Sequence, residues 1–163
     1  LNLAFKTLKR SLTNASHIVV TLGTAWGYVQ QHSTEVVNNC HKVPQKNFKK
    51  TLASVEELVV SLKSISATIK AINPEAKLIL TVSPVRHIKD GFVENTQSKA
   101  HLISAVHKTI SATNNTAYFP SYEIMMDELR DYRFYSEDML HPSQIAVNYI
   151  WDPLIAAWKF KEV

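Results

Sequence analysis

The chain has 163 residues, 45% hydrophobic and 20% charged, which suits one globular domain over 1–163 with a real core and argues against disorder. Its formal net charge is +4, yet the basic residues are spread out, and the densest run, Lys46 to Lys50, reads as the solvated first turn of a helix with no nucleic-acid motif beside it. No apolar run approaches the ~20 residues that span a bilayer and no signal peptide opens the chain, so neither nucleic acid nor membrane is an expected partner.

Cys40 is the only cysteine, which excludes an internal disulfide and points to a reducing, cytoplasmic setting. The first residue is leucine, as expected of a piece of a longer protein. In chain order, His17–Gly23 (HIVVTLG) forms a near-continuous apolar run, as in a parallel strand covered on both faces. From Phe48, apolar residues recur at Leu52, Val55, Leu58, Val59, Leu62, Ile65, Ile69 and Ile72, which predicts one long amphipathic helix ended by Asn73-Pro74. Lys77–Val82 (KLILTV) is a second strand. A helix follows from about Asn95 to Thr113, with Leu102, Ile103, Val106 and Ile110 inward. Thr116–Pro120 (TAYFP) is a third, weaker strand. Ser121 is placed to cap a helix through SYEIMMDELRDY. The last helix is predicted to begin at Pro142, whose missing N–H costs nothing there, and to kink or split at Pro153.

Strands alternating with helices give right-handed crossovers and a parallel sheet, hence a three-layer α/β class. In such sheets ligands bind outside the carboxyl ends of the strands. That rule gathers Gly23, Thr24, Trp26, Ser83, Arg86, His87, Asp138 and His141 at one rim. An aspartate three residues before a histidine can accept the imidazole Nδ1–H and leave Nε2 outward as a general base. Locally a second reading is equally open, in which Asp138 only caps the next helix. Ser83-Pro84 offers either a nucleophile or a turn serine. Arg86-His87 is suited to a carboxylate or phosphate. Asn39, Cys40 and His41 make a poor metal site, because adjacent Cys and His rarely reach one ion and no second ligand pair has zinc spacing. Three glycines, and GTAWG without a lysine, exclude a P-loop. No metal or cofactor is expected.

The stretches VVTLGTAWGY, NCHKVPQKNF, LTVSPVRHIKDG, SKAHL and FPSYEIMMDELRDYRFYSEDMLHPS together resemble the GSCFA family, bacterial proteins related to the SGNH (GDSL-like) hydrolases. The resemblance implies a flavodoxin-like three-layer sandwich of five strands in the order 2-1-3-4-5, here without its first two. It implies an acyl-ester hydrolase acting on a small-molecule or glycan ester, with His141 as general base and Asp138 as its orienting carboxylate. The nucleophilic serine belongs to the family's Gly-Ser-Cys-Phe-Ala segment, which does not occur here. Related hydrolases carry Gly-x-Asn-Asp where this chain has Gly23-Thr24-Ala25-Trp26, so the oxyanion donor falls to Asn39, Ser83 or a backbone N–H near Thr24. One lost donor costs about 10²–10³-fold in rate. Without the first two strands, HIVVTLG becomes an open apolar edge that invites self-association. Two rival readings remain: a non-catalytic binding or scaffold domain on the same fold, and a self-sufficient fragment with Ser83 as nucleophile.

Overall fold

In the computed structural model, residues 2–31, 36–37, 40 and 42–158 are described. The chain is mixed α/β. Helix α1 (Asn2–Asn14) leads to strand β1 (His17–Leu22), then β2 (Trp26–Gln30), β3 (Val36–Val37) and β4 (Phe48–Leu52). Helix α2 (Val55–Ile72), β5 (Lys77–Val82), α3 (Phe92–Ile110) and β6 (Thr116–Phe119) follow. The chain closes through α4 (Ser121–Glu123), a π-helical turn at Ile124–Glu128, and α5 (Gln144–Trp158).

The three predicted strands form one parallel sheet in the order β1-β5-β6. Its register runs from His17 opposite Lys77 to Leu22 opposite Val82, and from Leu78 opposite Thr116 to Thr81 opposite Phe119. The central strand is apolar on both sides, and its pleat divides the core. Leu78, Leu80 and Val82 pack with Leu62, Ile69, Leu102 and Val106 of α2 and α3, whereas Ile79 packs with Phe119, Met125, Ala146 and Leu154. At about 25 cal/mol per Å² of apolar surface, these alternating contacts supply the main drive for the fold. Among the described residues β1 pairs only with β5, and on the face it shares with Ile79 its Val19 is 41% exposed, so that, contrary to expectation, β1 is not covered on both faces.

Several local expectations are corrected. Residues 48–52 are not helical: β4 pairs antiparallel with β2 across Trp26–Leu52 to Gln30–Phe48 in a second small sheet, order β3-β2-β4. Phe48, Leu52 and Val55 stand four and three apart and mimic a helical face, but α2 begins at Val55. Ser54 caps it by accepting the Glu57 N–H while Glu57 returns a bond to the Ser54 N–H, a reciprocal capping box. Within the run from Lys46 to Lys50, Lys46 and Asn47 close a short 3-10 turn (Gln45–Asn47) and Phe48 to Lys50 are strand, so the run does not open α2. Ile65 and Ile72, assigned to the inward face, lie at its edge and are exposed.

Ser121 caps nothing. It is buried inside α4, where its hydroxyl donates to Val82 O at 2.7 Å and meets Thr81 Oγ1 at 2.6 Å. The helix predicted through Tyr132 stops at the π turn, which Leu129 N–H closes onto Ile124 O. Pro142 is bridged to Tyr135 outside any helix, because Ser143 supplies the first turn's acceptors for Ala146 and Val147. Pro153 leaves α5 unbroken; it is exposed, where water can satisfy the carbonyl it cannot bond. Among the described residues no helix is long and apolar enough to cross a membrane.

Candidate functional site

Parallel pairing brings the carboxyl ends of β1 and β5 side by side, and the first turns of α3 run behind them. Along α3 the inward stripe is Asn95, Ser98, Lys99, Leu102 and Val106, all buried. Its three polar members face the strand outlets. Lys99 is only 1% exposed, and its ammonium donates to Gly23 O and to Ser83 O, each at 2.6 Å. One cation thus clamps the first residues beyond both strands. Burial pulls its pKa from the ordinary 10.5 down to about 8.

Ser98 Oγ accepts the Ala25 N–H at 2.7 Å and bonds Thr24 Oγ1 at 3.1 Å, and Thr24 Oγ1 also accepts the Trp26 N–H. Asn95 Oδ1 accepts the His87 N–H at 2.8 Å. The polar face of α3 therefore fixes the paths of both outlets. From the second sheet, Lys50 reaches Asp90 in the segment after β5 and stands 5.6 Å from the Trp26 and Tyr28 ring centres.

The Asp138–His141 turn is built by its own backbone. Ser136 N–H donates to His141 O at 2.8 Å, Met139 N–H to Ser136 O at 2.9 Å and Ser143 N–H to Phe134 O at 2.7 Å. Met139 takes a left-handed φ of 57° to close it. Asp138 Oδ1 accepts the N–H groups of Leu140 (2.8 Å) and His141 (3.0 Å), and Oδ2 receives His141 Nδ1–H at 2.6 Å. The His141 backbone bond, its ring bond and the Leu140 bond together hold the Asp138 pKa down to about 2. The group is therefore a carboxylate, which only accepts, so Nδ1 carries the proton and Nε2 of the neutral ring keeps its lone pair. The imidazole is 59% exposed, and no described residue is hydrogen-bonded to its Nε2.

Segment 84–87 joins this turn to the sheet. Arg86 N–H donates to Leu140 O at 3.2 Å, and its guanidinium reaches Met139 O at 3.4 Å. The His87 ring lies against Gly23, with Nε2 3.4 Å from where a Cβ on that glycine would stand. Burial lowers the His87 pKa, followed by the Lys99 charge and, more weakly, by His141. The two imidazoles are thus close enough to repel when charged.

Of the residues expected at the rim, Gly23, Ser83, His87, Asp138 and His141 gather around the outlets. Ser83 Oγ accepts the Val85 N–H at 3.2 Å in a turn and meets neither imidazole. The Thr24 hydroxyl is spent on Ser98 and Trp26. Arg86 turns its side chain away from Gly23 toward Tyr132 and Tyr135. Asn39 and His41 lie outside the described residues. Among the described residues, no group of three or more His, Cys, Asp or Glu is placed to hold a metal ion. Sequence reasoning missed Asn95, Ser98 and Lys99. The available signal was polar residues at positions i, i+3 and i+4 on the stripe that continues as Leu102 and Val106.

No curated protein matches the chain. The model of the GSCFA family matches residues 1–153, which contain the whole rim, and the chain belongs to the GSCFA family.

Proposed function

We propose that this chain carries the acid–base half of an SGNH-type acyl-ester hydrolase with a three-layer flavodoxin-like architecture, acting on a small-molecule or glycan ester. The observation that carries this reading is the 2.6 Å Asp138–His141 bond beside the strand outlets, with Nε2 left available. In this mechanism a serine hydroxyl from outside the described rim attacks the ester carbonyl. His141 Nε2 takes its proton as the tetrahedral intermediate forms and returns it to the leaving alcohol. Water then repeats the cycle on the acyl-enzyme. Asp138 keeps its charge throughout and stabilises the imidazolium. Ser83 is not the nucleophile in this reading, because its oxygen is engaged in a turn.

Fluorophosphonate labelling of the natural full-length protein tests this. Labelling that falls sharply in His141→Ala supports the mechanism; equal labelling of both proteins removes His141 from it. One observation favours the alternative of a non-catalytic binding or scaffold domain: Ala25 stands in the sequence at the place of the asparagine of Gly-x-Asn-Asp, and its N–H and the neighbouring Thr24 hydroxyl are both engaged by Ser98. Full-length protein that takes no label while binding an ester ligand would select that alternative.

A further inference from the structure

Arg86 sits at the meeting point of three hollows of about 550, 370 and 220 Å³, all lined by Arg86 and Tyr132. The middle one is also walled by Asp138, Met139 and Leu140, so the cleft opens against the turn that carries His141. Its guanidinium carbon is 4.2 Å from the Tyr135 ring centre and 5.3 Å from that of Tyr132. Both distances lie within cation–π range, so the two rings hold the guanidinium in the cleft. Of five N–H donors, one meets Met139 O, at 3.4 Å.

Among the described residues no carboxylate lies within ion-pairing distance of Arg86. Asp131, which shares the largest hollow, is taken by Arg133 at 3.2 Å. Arg130 and Asp127 line that hollow too. A guanidinium held by aromatic rings and without a carboxylate partner is suited to receive a planar carboxylate in two parallel bonds. Beside it Tyr132, 62% exposed, offers a ring face to an apolar ring surface.

We infer that the Arg86 cleft is a substrate subsite for a carboxylate-bearing sugar, with the carboxylate on the Arg86 guanidinium and the sugar ring against Tyr132. This rests on the reading of the rim as a glycan-ester site, and it adds the acidic class of the glycan. The subsite lies beside the acid–base pair, so it orients a non-reacting part of the substrate while the ester faces His141.

The test is calorimetric or NMR titration of the natural full-length protein with methyl glucuronide and, in parallel, with methyl glucoside. Neither probe is an ester, so the result does not depend on turnover, and a failed labelling experiment with intact glucuronide binding would overturn only the hydrolase. Glucuronide binding about tenfold or more tighter than glucoside is expected, with that preference lost in Arg86→Gln and reduced in Arg86→Lys. Tyr132→Ala should weaken both sugars; because Tyr132 is exposed, this variant keeps the test valid should Arg86→Gln fail to fold. Equal affinity for the two sugars, no binding of either, or an unchanged preference in Arg86→Gln would overturn the assignment.

Discussion

Replacing Lys99 by methionine removes the ammonium that clamps the two outlets while nearly conserving side-chain volume. The fall of its pKa from 10.5 to about 8 corresponds, at about 1.4 kcal/mol per pH unit, to a cost of about 3 kcal/mol for holding the charge in the fold. That shift is already net of the two bonds the ammonium makes to carbonyls, and the contacts of the methionine replacement do not enter it, so the variant's stability at neutral pH decides little. The pH dependence decides more.

Between pH 8 and 10.5 the unfolded chain still holds this proton and the folded chain has released it. Wild-type stability therefore gains a rising contribution across that window, and the methionine variant lacks it. Subtracting the two urea-unfolding free energies cancels other titrating groups that the substitution leaves alone. The wild type should gain about 3 kcal/mol on the variant between those limits. A difference that stays flat across the window would show that burial does not strain the ammonium. The same variant carries a second readout. Lys99 is the second cause, after burial, of the lowered His87 pKa, so the His87 midpoint followed by NMR should rise in Lys99→Met.

Three further outcomes follow from other parts of the molecule. The Asp138 carboxyl, followed by carbon NMR, should titrate near 2; its folded pKa lies below the ordinary 3.8, so its bonds persist above that value and are lost as pH falls toward 2. In the full-length protein, Asp138→Asn should slow fluorophosphonate labelling by about 10³–10⁴-fold through the wrong ring tautomer, and a normal rate would show that the pair is not used. Ser54→Ala removes the reciprocal cap of α2 and should cost about 0.5–2 kcal/mol in urea unfolding, whereas no change would mean that water replaces the cap. The open side of β1 should make the chain self-associate in light scattering, and a strictly monomeric chain at high concentration would contradict this.

Strands β1, β5 and β6 were legible as apolar runs, but only the central β5 is buried on both faces, since one face of β1 leaves Val19 and Thr21 exposed. The boundary of α2 was misplaced because Phe48 and Leu52 have helical spacing relative to Val55, and only cross-strand pairing with Trp26 and Gln30 overrides that pattern. The capping box at Ser54 and Glu57 was the local signal that separates the two. The π turn could not be read from periodicity: Ile124, Met125 and Leu129 are buried together at a five-residue recurrence that belongs to neither an α-helix nor a strand. Asp138 and His141 were legible because their bond is local. Lys99 was not, since its meaning depends on two carbonyls 76 and 16 residues away in sequence.

That long-range contact also bears on the departure at Gly23-Thr24-Ala25-Trp26, where no asparagine follows the strand to receive an oxyanion. The carboxyl end of a parallel strand presents carbonyl oxygens, and two such ends side by side form a negative surface, the wrong sign for a tetrahedral intermediate. The Lys99 ammonium lies directly behind Gly23 O and Ser83 O and offsets that surface from within. It also lowers the pKa of His87, whose ring lies against Gly23. A side-chain amide would supply one directed donor at this place. On the proposed mechanism the buried Lys99 cation would supply a positive field instead, already oriented when charge develops. Because burial brings the pKa of that cation to about 8, the field should fade as pH rises through that value, even though the Asp138–His141 pair stays assembled. Loss of labelling above pH 8 in the wild type, absent from Lys99→Arg because arginine keeps its charge, would trace the charge stabilisation to this residue; an alkaline limb shared by both proteins would place it elsewhere.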